Sequence, residues 1–315
     1  MDSTESPMVL VTPHKFEDLS VEREVLAPTG ARVVEAGSPA EFRERAPEAD
    51  VLLVNAVAPI DRALIATLAR CKAVVRYGAG VDNVDVASAA QAGIQVANVL
   101  DASVEEVANH ALALALALLR RLRPVHDATA AGEWPTAAVH GTRRLSTLTC
   151  GVVGVGRIGT ATAARFEALG LRVVASDPVL DEAPWPLLPL ADLLAQADVV
   201  SLHLPLTDAT RHLLGAAELE AMRPGAILVN VSRGGLVDEA ALARQLQSGA
   251  LGGAGLDVFE DEPIPATHPL RASPGALLTP HIAWYTEEAA REVQRKAAEE
   301  AARAIAGEPL LSPVT

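Results

Sequence analysis

The chain of 315 residues has little positive charge. Its 26 Lys and Arg residues stand against 40 Asp and Glu, which gives a formal net charge of −14 at pH 7. A field of that sign repels phosphate backbones and anionic lipid surfaces. Basic residues cluster only at Arg143-Arg144 and around Arg120-Arg121, so we predict no nucleic-acid partner and no membrane partner. An anionic metabolite can still bind if a few well-placed arginines reverse the field locally.

Long apolar runs and cysteines are also scarce. The longest apolar run, at 111–119, has nine residues, whereas a membrane span needs about 20. Residues 1–7 are polar and acidic, so we expect no secretory signal and a cytoplasmic protein. The two cysteines, Cys71 and Cys150, each lie beside an apolar strand-like run, which fits buried thiols in a reducing compartment. No Cys/His spacing resembles a zinc site, and no metal is predicted.

Short β-branched runs alternate with Ala- and Leu-rich helical stretches, the pattern of parallel strands joined by crossover helices. A hydrophobic fraction of 50% over 315 residues supplies core for about two domains of ~150 residues. Five strand runs come first, at 8–11, 31–35, 51–54, 73–76 and 94–98. Six more follow, at 150–155, 172–176, 198–204, 226–232, 254–258 and 276–279. We therefore predict an α/β protein with two doubly wound parallel-sheet domains.

Two long helices are also predicted. One covers 103–123, is ended by Pro124, and has apolar surface all round, which is typical of a helix buried between domains or in a subunit contact. Residues 125–149 show no periodicity and are predicted to form an extended loop or arm. The other helix covers 287–306 and ends at Gly307.

A glycine-rich sequence directly follows the strand run that begins at Cys150 and opens a helical stretch. It reads Gly154-Val155-Gly156-Arg157-Ile158-Gly159. Such glycines permit a tight turn and close backbone approach to a pyrophosphate, while the helix N-terminus adds a positive dipole. Asp177 stands eighteen residues after Gly159, where a carboxylate accepts hydrogen bonds from both ribose hydroxyls and repels a 2′-phosphate. We predict NAD rather than NADP as the cofactor; the alternative is an ordinary glycine-rich turn.

Six segments together carry a specific resemblance. They read VRYGAGVDNVD at 75–85, GVGRIG at 154–159, HLPLT at 203–207, NVSRGGLVDEAAL at 230–242, GLDVFEDEP at 255–263 and TPH at 279–281. The chain thereby resembles the D-isomer-specific 2-hydroxyacid dehydrogenases. The resemblance implies a Rossmann NAD-binding domain, 101–285, inserted into a flavodoxin-like substrate domain formed by 1–100 and 286–315. It also implies a homodimer formed through the NAD-binding domains.

The resemblance assigns the catalytic roles. Arg233 would hold the substrate's carboxylate and carbonyl, Glu262 and His281 would form the acid/base pair, and Asp257 would contact the nicotinamide. The chemistry supports these roles independently, because hydride delivery to a carbonyl leaves an alkoxide that histidine can protonate near neutral pH. A neighbouring carboxylate keeps that histidine protonated and oriented, and arginine matches the planar fork of a 2-oxo acid. Taken singly, the three residues have plain alternatives: a loop arginine, a solvated acid and a capped histidine at a strand end.

Further residues are assigned to the cofactor crevice. They are His203, Pro205, Thr210, Val231 and Ser232. The remaining histidines are interpreted as structural or solvated: His14, His110, His126, His140, His212 and His268.

Arg76 ends the fourth predicted strand and precedes a Gly-x-Gly turn. The turn consists of Tyr77, Gly78, Ala79 and Gly80. Backbone N–H groups of such a turn make a small anion cradle, to which Arg76 adds charge. We expect this substrate-binding turn to face Arg233 across a cleft; the alternative is a plain strand-to-helix turn.

Trp284 stands three residues after His281 in a chain with only three Trp, two Tyr and four Phe. In this feature the chain looks more like the C-terminal-binding-protein branch of the family than the phosphoglycerate branch. In the former branch the tryptophan walls the substrate pocket, so Trp284 is predicted to bind substrate. A core or dimer contact is the alternative.

The sequence is compatible with three functions. The first is an NAD-dependent dehydrogenase that acts on a small anionic 2-oxo acid or D-2-hydroxy acid. The second is a dimeric, NAD-sensing scaffold resembling the corepressors of the family. The third is a dehydrogenase for a hydroxy- or oxo-phosphonate, since an arginine-lined pocket does not by itself discriminate a carboxylate from a phosphonate. The absence of a long tail beyond the predicted elements favours an enzyme.

Overall fold

The computed structural model describes residues 6–56 and 58–314. Residues 1–5, most of the segment for which no secretory signal is predicted, lie outside this part of the chain. The strands are β1 (Met8–Val11), β2 (Arg32–Glu35), β3 (Val51–Val54), β4 (Ala73–Arg76), β5 (Gln95–Asn98), β6 (Thr149–Val153), β7 (Arg172–Ser176), β8 (Val199–Leu202), β9 (Ile227–Asn230), β10 (Gly253–Leu256) and β11 (Ala276–Leu278). The helices are α1 (Ser20–Leu26), α2 (Pro39–Arg45), α3 (Arg62–Ile65), α4 (Val86–Gln91), α5 (Val104–Leu119), α6 (Leu122–Ala130), α7 (Arg157–Ala168), α8 (Leu190–Gln196), α9 (Ala216–Ala221), α10 (Glu239–Ser248) and α11 (Glu287–Ala306).

The chain divides into two compact units. The described residues up to Ser103 and those from Tyr285 onward form one unit, and Val104–Trp284 form the other. The roles of substrate domain and NAD-binding domain assigned to 1–100 with 286–315 and to 101–285 stay predictions.

The first unit contains a five-stranded parallel sheet in the order β2-β1-β3-β4-β5. Every residue of β1, β3 and β4 is buried, as expected for strands covered on both faces. Helix α11 packs on α1, β3 and β4, and its alanines let it lie close to the sheet. The order is that of flavodoxin-like sheets.

The second unit contains a six-stranded parallel sheet in the order β11-β10-β9-β8-β6-β7. Strand β6 pairs with β7 on one side and β8 on the other, so the winding direction reverses there. Ligands bind at such a switch point, outside the carboxyl ends of the strands. Both predicted doubly wound sheets are thus confirmed.

The predicted helix over 103–123 is wrong at its end. Helix α5 stops at Leu119, and Arg121 adopts a left-handed conformation with φ of 51°. A second helix, α6, follows and carries Pro124 in its first turn, where the missing N–H of proline costs no hydrogen bond. The predicted arm at 125–149 therefore begins as a helix.

Helix α5 is also not buried all round. Its buried residues follow helical spacing along one face: Val107, Ala108, Ala111, Leu114 and Ala115. That face packs on α7, β9 and β10. None of the helices in the described residues combines the length and apolar character that crossing a bilayer requires.

Candidate active site

The predicted NAD and catalytic residues gather at one edge of the six-stranded sheet. All six strands are parallel, so their carboxyl ends share that edge. The loop after each strand carries at least one predicted residue: Gly154–Gly159 after β6, Asp177 after β7, His203 after β8, Arg233 after β9, Asp257 and Glu262 after β10, and His281 after β11. The topology alone therefore brings these side chains to one place.

The glycine-rich turn fits a pyrophosphate. Gly154 has φ of +90°, and a Cβ there would lie 2.7 Å from the carbonyl oxygen of His203. A Cβ on Gly159 would lie 1.9 Å from the carbonyl oxygen of Gly154, so only glycine allows α7 to start against the strand. Gly156 is the N-cap of α7, without a side-chain cap and with open space where its Cβ would be. The uncapped N–H groups of the first turn can thus receive an anion.

Asp177 is held by the backbone around that turn. Its Oδ2 accepts a hydrogen bond from Val155 N–H at 2.8 Å, and its Oδ1 accepts one from Val179 N–H at 3.0 Å. The carboxylate is therefore fixed beside the glycine-rich turn, where the ribose hydroxyls of NAD would find an acceptor.

The other predicted cofactor residues line the same edge. Thr210 Oγ1 donates to the carbonyl of Pro205 at 2.7 Å, and Ser232 Oγ donates to the carbonyl of Leu202 at 2.9 Å. Val231 is buried, Ile158 is half-buried and Arg157 is exposed in the first turn of α7. These contacts shape the edge; direct contact with a cofactor stays a prediction.

His203 is neutral at any ordinary pH. Its residue is half-buried, but its ring Nδ1 is enclosed, and its Nε2 lies 2.8 Å from Ser201 Oγ. Burial lowers the pKa of this imidazole to about 3. His203 is thus part of the wall of the site and is not its acid or base.

Glu262 and His281 form a hydrogen-bonded pair. His281 Nδ1 lies 2.7 Å from Glu262 Oε2, and Glu262 Oε1 accepts from Phe259 N–H at 3.0 Å. Burial raises the pKa of the Glu262 carboxyl, but the hydrogen bond and charge of His281, the Phe259 N–H and the charge of Arg233 together hold it below its ordinary value. Glu262 is therefore ionised at neutral pH and can stabilise a protonated imidazole.

Arg233 is oriented by a neighbour that the sequence alone does not single out. Asn230, the last residue of β9, donates from Nδ2 to the carbonyl of Arg233 at 2.8 Å and accepts from Ser232 N–H at 3.1 Å. Arg233 Nη1 donates to the Ser232 carbonyl at 2.7 Å. A polar residue at the end of an otherwise apolar strand is the signal that points to Asn230.

The Arg233 turn packs on the loop that carries Glu262. A Cβ on Gly234 would lie 1.8 Å from the carbonyl carbon of Phe259 and 2.2 Å from the amide nitrogen of Glu260. Only glycine therefore permits this backbone contact. The two loops form one layer that joins the predicted substrate-binding arginine to the predicted acid/base pair.

Asp257 and Trp284 both contact the loop around His281. Asp257 is fully buried, and its carboxylate accepts the N–H groups of Ile282 at 3.0 Å and Ala283 at 2.7 Å. Trp284 packs partly buried on the core and donates from its indole nitrogen to the His281 carbonyl at 3.2 Å. Its predicted role as a substrate wall, and that of Asp257 as a nicotinamide contact, stay predictions.

The predicted substrate turn belongs to the five-stranded unit. Arg76 is buried and folds over its own turn, donating from Nη1 to the Tyr77 carbonyl, and Gly78 has φ of +110° with Arg76 Nη1 where its Cβ would be. The Tyr77 hydroxyl donates to buried Glu22 at 2.8 Å. Asn98 Nδ2 donates to the carbonyl of Ala79 at 2.6 Å, and Gly80 is half-buried. The turn is thus rigidly anchored, and its approach to substrate and to Arg233 stays a prediction.

Known proteins resemble this chain in sequence. Residues 112–283 match the family model described as D-isomer specific 2-hydroxyacid dehydrogenase, NAD binding domain. The chain is 41% identical over 267 residues to D-3-phosphoglycerate dehydrogenase from Mycobacterium leprae, which is 83% of this chain and 50% of that protein. The chain therefore spans about half the length of the curated relatives it matches.

Solved structures resemble the whole chain. The TT0316 protein from Thermus thermophilus has 37% identity and a TM-score of 0.89, with 98% of this chain and 100% of that chain covered. A glyoxylate reductase from Paecilomyes thermophila has 32% identity and a TM-score of 0.87, with 98% of each chain covered. The named relatives support the phosphoglycerate-dehydrogenase side of the resemblance and not the corepressor side.

Proposed function

Because the chain belongs to the D-isomer-specific 2-hydroxyacid dehydrogenase family, we propose that it is an NAD-dependent oxidoreductase that interconverts a small 2-oxo acid and its D-2-hydroxy acid. The observation that carries the proposal is the 2.7 Å hydrogen bond between His281 and Glu262. The pair lies at the sheet edge that also bears the glycine-rich turn of an NAD-binding domain. A histidine paired with an ionised carboxylate can supply the proton that must accompany hydride transfer.

Three side chains take the principal roles in the proposed reaction: Arg233, His281 and Glu262. NADH, when bound, supplies the hydride. Arg233 binds the substrate carboxylate and carbonyl oxygen in its planar fork. His281 donates from Nδ1 to Glu262, which leaves Nε2 as the nitrogen that protonates the carbonyl oxygen during reduction and accepts the hydroxyl proton during oxidation. The ionised Glu262 stabilises the imidazolium form throughout.

The substrate class follows from the same residues and from the relatives. One relative is named for phosphoglycerate and another for glyoxylate, both small anionic acids. A small anionic 2-oxo acid is the substrate that Arg233 suits best. A phosphonate is tested as an alternative, because the arginine alone recognises both anions.

A cytoplasmic homodimer is the form in which we propose that the enzyme works. Leu122 is 57% exposed and Trp134 is 82% exposed, both on the segment that follows α5. They lie in the unit through which the family resemblance implies dimerisation, so a partner subunit there would cover them. Cys71 and Cys150 are free, buried thiols, which supports a reducing compartment. No nucleic-acid or membrane partner is proposed.

The function is tested by following NADH absorbance with a panel of glyoxylate, pyruvate, a branched 2-oxo acid and their phosphonate analogues. Oxidation of NADH with at least one 2-oxo acid is expected, with NADPH at least about tenfold less efficient because Asp177 repels a 2′-phosphate. His281→Gln should lower kcat about 100- to 10,000-fold. NADH binding without turnover of any compound would overturn the proposal in favour of an NAD-sensing scaffold.

A further inference from the structure

His281 has a backbone conformation that needs support. Its φ is +56°, in the left-handed region, which is unfavourable for a residue other than glycine. The residue persists there because the peptide groups on both sides are tied to Asp257. The N–H of His281 donates to the Asp257 carbonyl at 2.8 Å, and the next two N–H groups donate to the Asp257 carboxylate. Asp257 therefore fixes the backbone position from which the His281 imidazole extends.

A hydrogen-bonded chain reaches the same carboxylate from helix α5. Thr279 Oγ1 lies 2.6 Å from Asp257 Oδ1, and His110 Nε2 lies 3.0 Å from Thr279 Oγ1. A carboxylate only accepts, so the threonine hydroxyl donates to Asp257 and must accept from His110. This fixes the direction of the chain and places a proton on His110 Nε2. The chain runs from His110 through Thr279 to Asp257.

The position of His110 is set by close packing of α5 on β10. A Cβ on Gly255 would lie 2.8 Å from the Cβ of Leu114, so glycine at this position lets the helix approach the strand closely. His110 lies one helical turn before Leu114, and Asp257 lies two residues after Gly255. The packed helix therefore brings the imidazole to the carboxyl end of the strand, where its Nε2 lies 3.7 Å from Asp257 Oδ1.

The burial of Asp257 makes these donors necessary. Its side chain is fully buried, and a buried carboxylate is stable only when its oxygens receive hydrogen bonds. Oδ1 receives Thr279 and the Ile282 N–H, and Oδ2 receives the Ala283 N–H. Removal of the threonine hydroxyl would leave Oδ1 short of a donor, and the carboxylate would move from the two N–H groups that it now holds.

We propose that His110 and Thr279 are positioning residues, which fix the Asp257 carboxylate and through it the loop that presents the His281 imidazole. The inference rests on the proposed function, in which His281 transfers the proton. Neither residue touches the reacting atoms in this assignment. A contact of Asp257 with the nicotinamide remains compatible, because the proposal concerns the hydrogen bonds that hold the carboxylate from the helix side.

Matched variants test each link. Thr279→Val removes the hydroxyl and keeps the shape, whereas Thr279→Ser restores the hydroxyl. His110→Leu removes the donor from the helix, whereas His110→Gln offers an amide N–H near the position of Nε2, and both replacements are good helix formers. Thr67→Val is the control, because Thr67 is an exposed residue just after α3 whose hydroxyl donates to the nearby Leu64 carbonyl at 2.7 Å.

Turnover is expected to fall while binding is kept. A small displacement of a catalytic group costs about 10- to 100-fold in rate, so we expect kcat for 2-oxo acid reduction to fall by that factor in Thr279→Val and His110→Leu. The KM for the 2-oxo acid and the Kd for NADH, measured by fluorescence titration, should change by a much smaller factor than kcat, because Arg233 and the glycine-rich turn are untouched. Thr279→Ser and His110→Gln should recover most of the rate. The double variant Thr279→Val with His110→Leu should have a kcat no lower than that of the slower single variant, since both changes interrupt the same series of hydrogen bonds.

A second readout does not depend on turnover. Hydrogen exchange of the peptide spanning 279–286 should be at least about tenfold faster in Thr279→Val than in the unmodified protein, because the N–H groups of Ile282 and Ala283 lose their fixed acceptor. Exchange elsewhere and in the Thr67→Val control should be unchanged. If the unmodified protein reduces no 2-oxo acid, the proposed function fails. Hydrogen exchange still decides whether the hydrogen bonds from His110 through Thr279 hold Asp257. Unchanged protection of this peptide, or a loss of NADH affinity that equals the loss of kcat, overturns the proposal.

Discussion

Glu262 lies where two positive partners meet, and this explains the state of its carboxyl. His281 hydrogen bonds to it and Arg233 adds a favourable charge, so its pKa lies below the ordinary value although the carboxyl is partly desolvated. A lowered pKa in the folded state means that the pair stabilises the fold above the unfolded pKa of about 4.3 and loses this effect as the pH falls. At neutral pH the carboxylate is therefore available to hold a proton on His281.

Glu262→Gln should shift the pH profile of reduction. In the proposed mechanism reduction needs a protonated His281, so kcat/KM should fall as the pH rises. The amide keeps the shape but removes the negative charge that favours the imidazolium, so the alkaline limb should move to lower pH. The Kd for NADH should stay nearly unchanged. Asp261→Asn, a change of the adjacent exposed acid, is the control, and an unmoved limb in Glu262→Gln would show that the carboxylate is not the partner of the catalytic acid.

Trp284 contacts both the core and the backbone of His281. We expect Trp284→Ala to raise the KM for a large apolar 2-oxo acid about 10- to 100-fold relative to glyoxylate, because burying aromatic surface is worth about 1–3 kcal/mol. Trp284→Phe keeps the apolar ring and loses the N–H that reaches the His281 carbonyl. It should therefore restore the KM for the large substrate. An equal loss of kcat on all substrates in both variants would assign the indole to support of His281.

The loops after β9 and β10 act as one element because Gly234 allows their backbones to touch. Gly234→Ala would place a Cβ 1.8 Å from backbone carbon, so the loops must separate. We expect kcat/KM to fall about 100-fold and the free energy of unfolding to fall by about 1–3 kcal/mol. Gly235→Ala is the matched control, since its Cβ would meet only the ends of the Leu206 and Arg211 side chains at 3.0 Å or more. Equal tolerance of both changes, in kinetics and in urea unfolding, would contradict the coupling of the two loops.

At this scale the sequence predicts elements better than contacts between them. The runs at 51–54 and 73–76 are the strands β3 and β4 because fully buried parallel strands are continuous apolar runs. Helix α11 was predictable from its Thr286 cap and Gly307 end. The break between α5 and α6 was not predictable, because the sequence around Arg121 carries no local signal for a left-handed conformation.

The candidate site shows the same limit. Its residues follow strand runs, so their grouping at one sheet edge was predictable once a parallel sheet was predicted. Two other features were not predictable: the contact of Gly234 with Phe259, and the hydrogen bonds that link His110 to Asp257. Both depend on which strands and helices are neighbours in the fold. Asn230, Thr279 and His110 lie in predicted segments but became functional candidates only through their hydrogen bonds in the folded chain.

On the scale of the whole molecule, the charge distribution determines what the protein can bind. A net charge of −14 disfavours the approach of anionic surfaces, while Arg233 supplies a local positive charge near the pair of Glu262 and His281. We therefore expect the protein to bind small anions in preference to polyanions, because the local charge at the site differs in sign from the surrounding field.

The proposed homodimer can be tested at the exposed apolar side chains of the segment that follows α5. Static light scattering of the unmodified protein should report twice the chain mass of 32.8 kDa. Exchange of both Leu122 and Trp134 for Ser should raise the dimer Kd at least about 100-fold, because burying each large side chain is worth about 1.5–3 kcal/mol. Leu311→Ser is the control, since Leu311 is 67% exposed in the unit that the resemblance does not assign to the interface. A dimer unaffected by the first pair and broken by the control would move the interface away from the segment that follows α5.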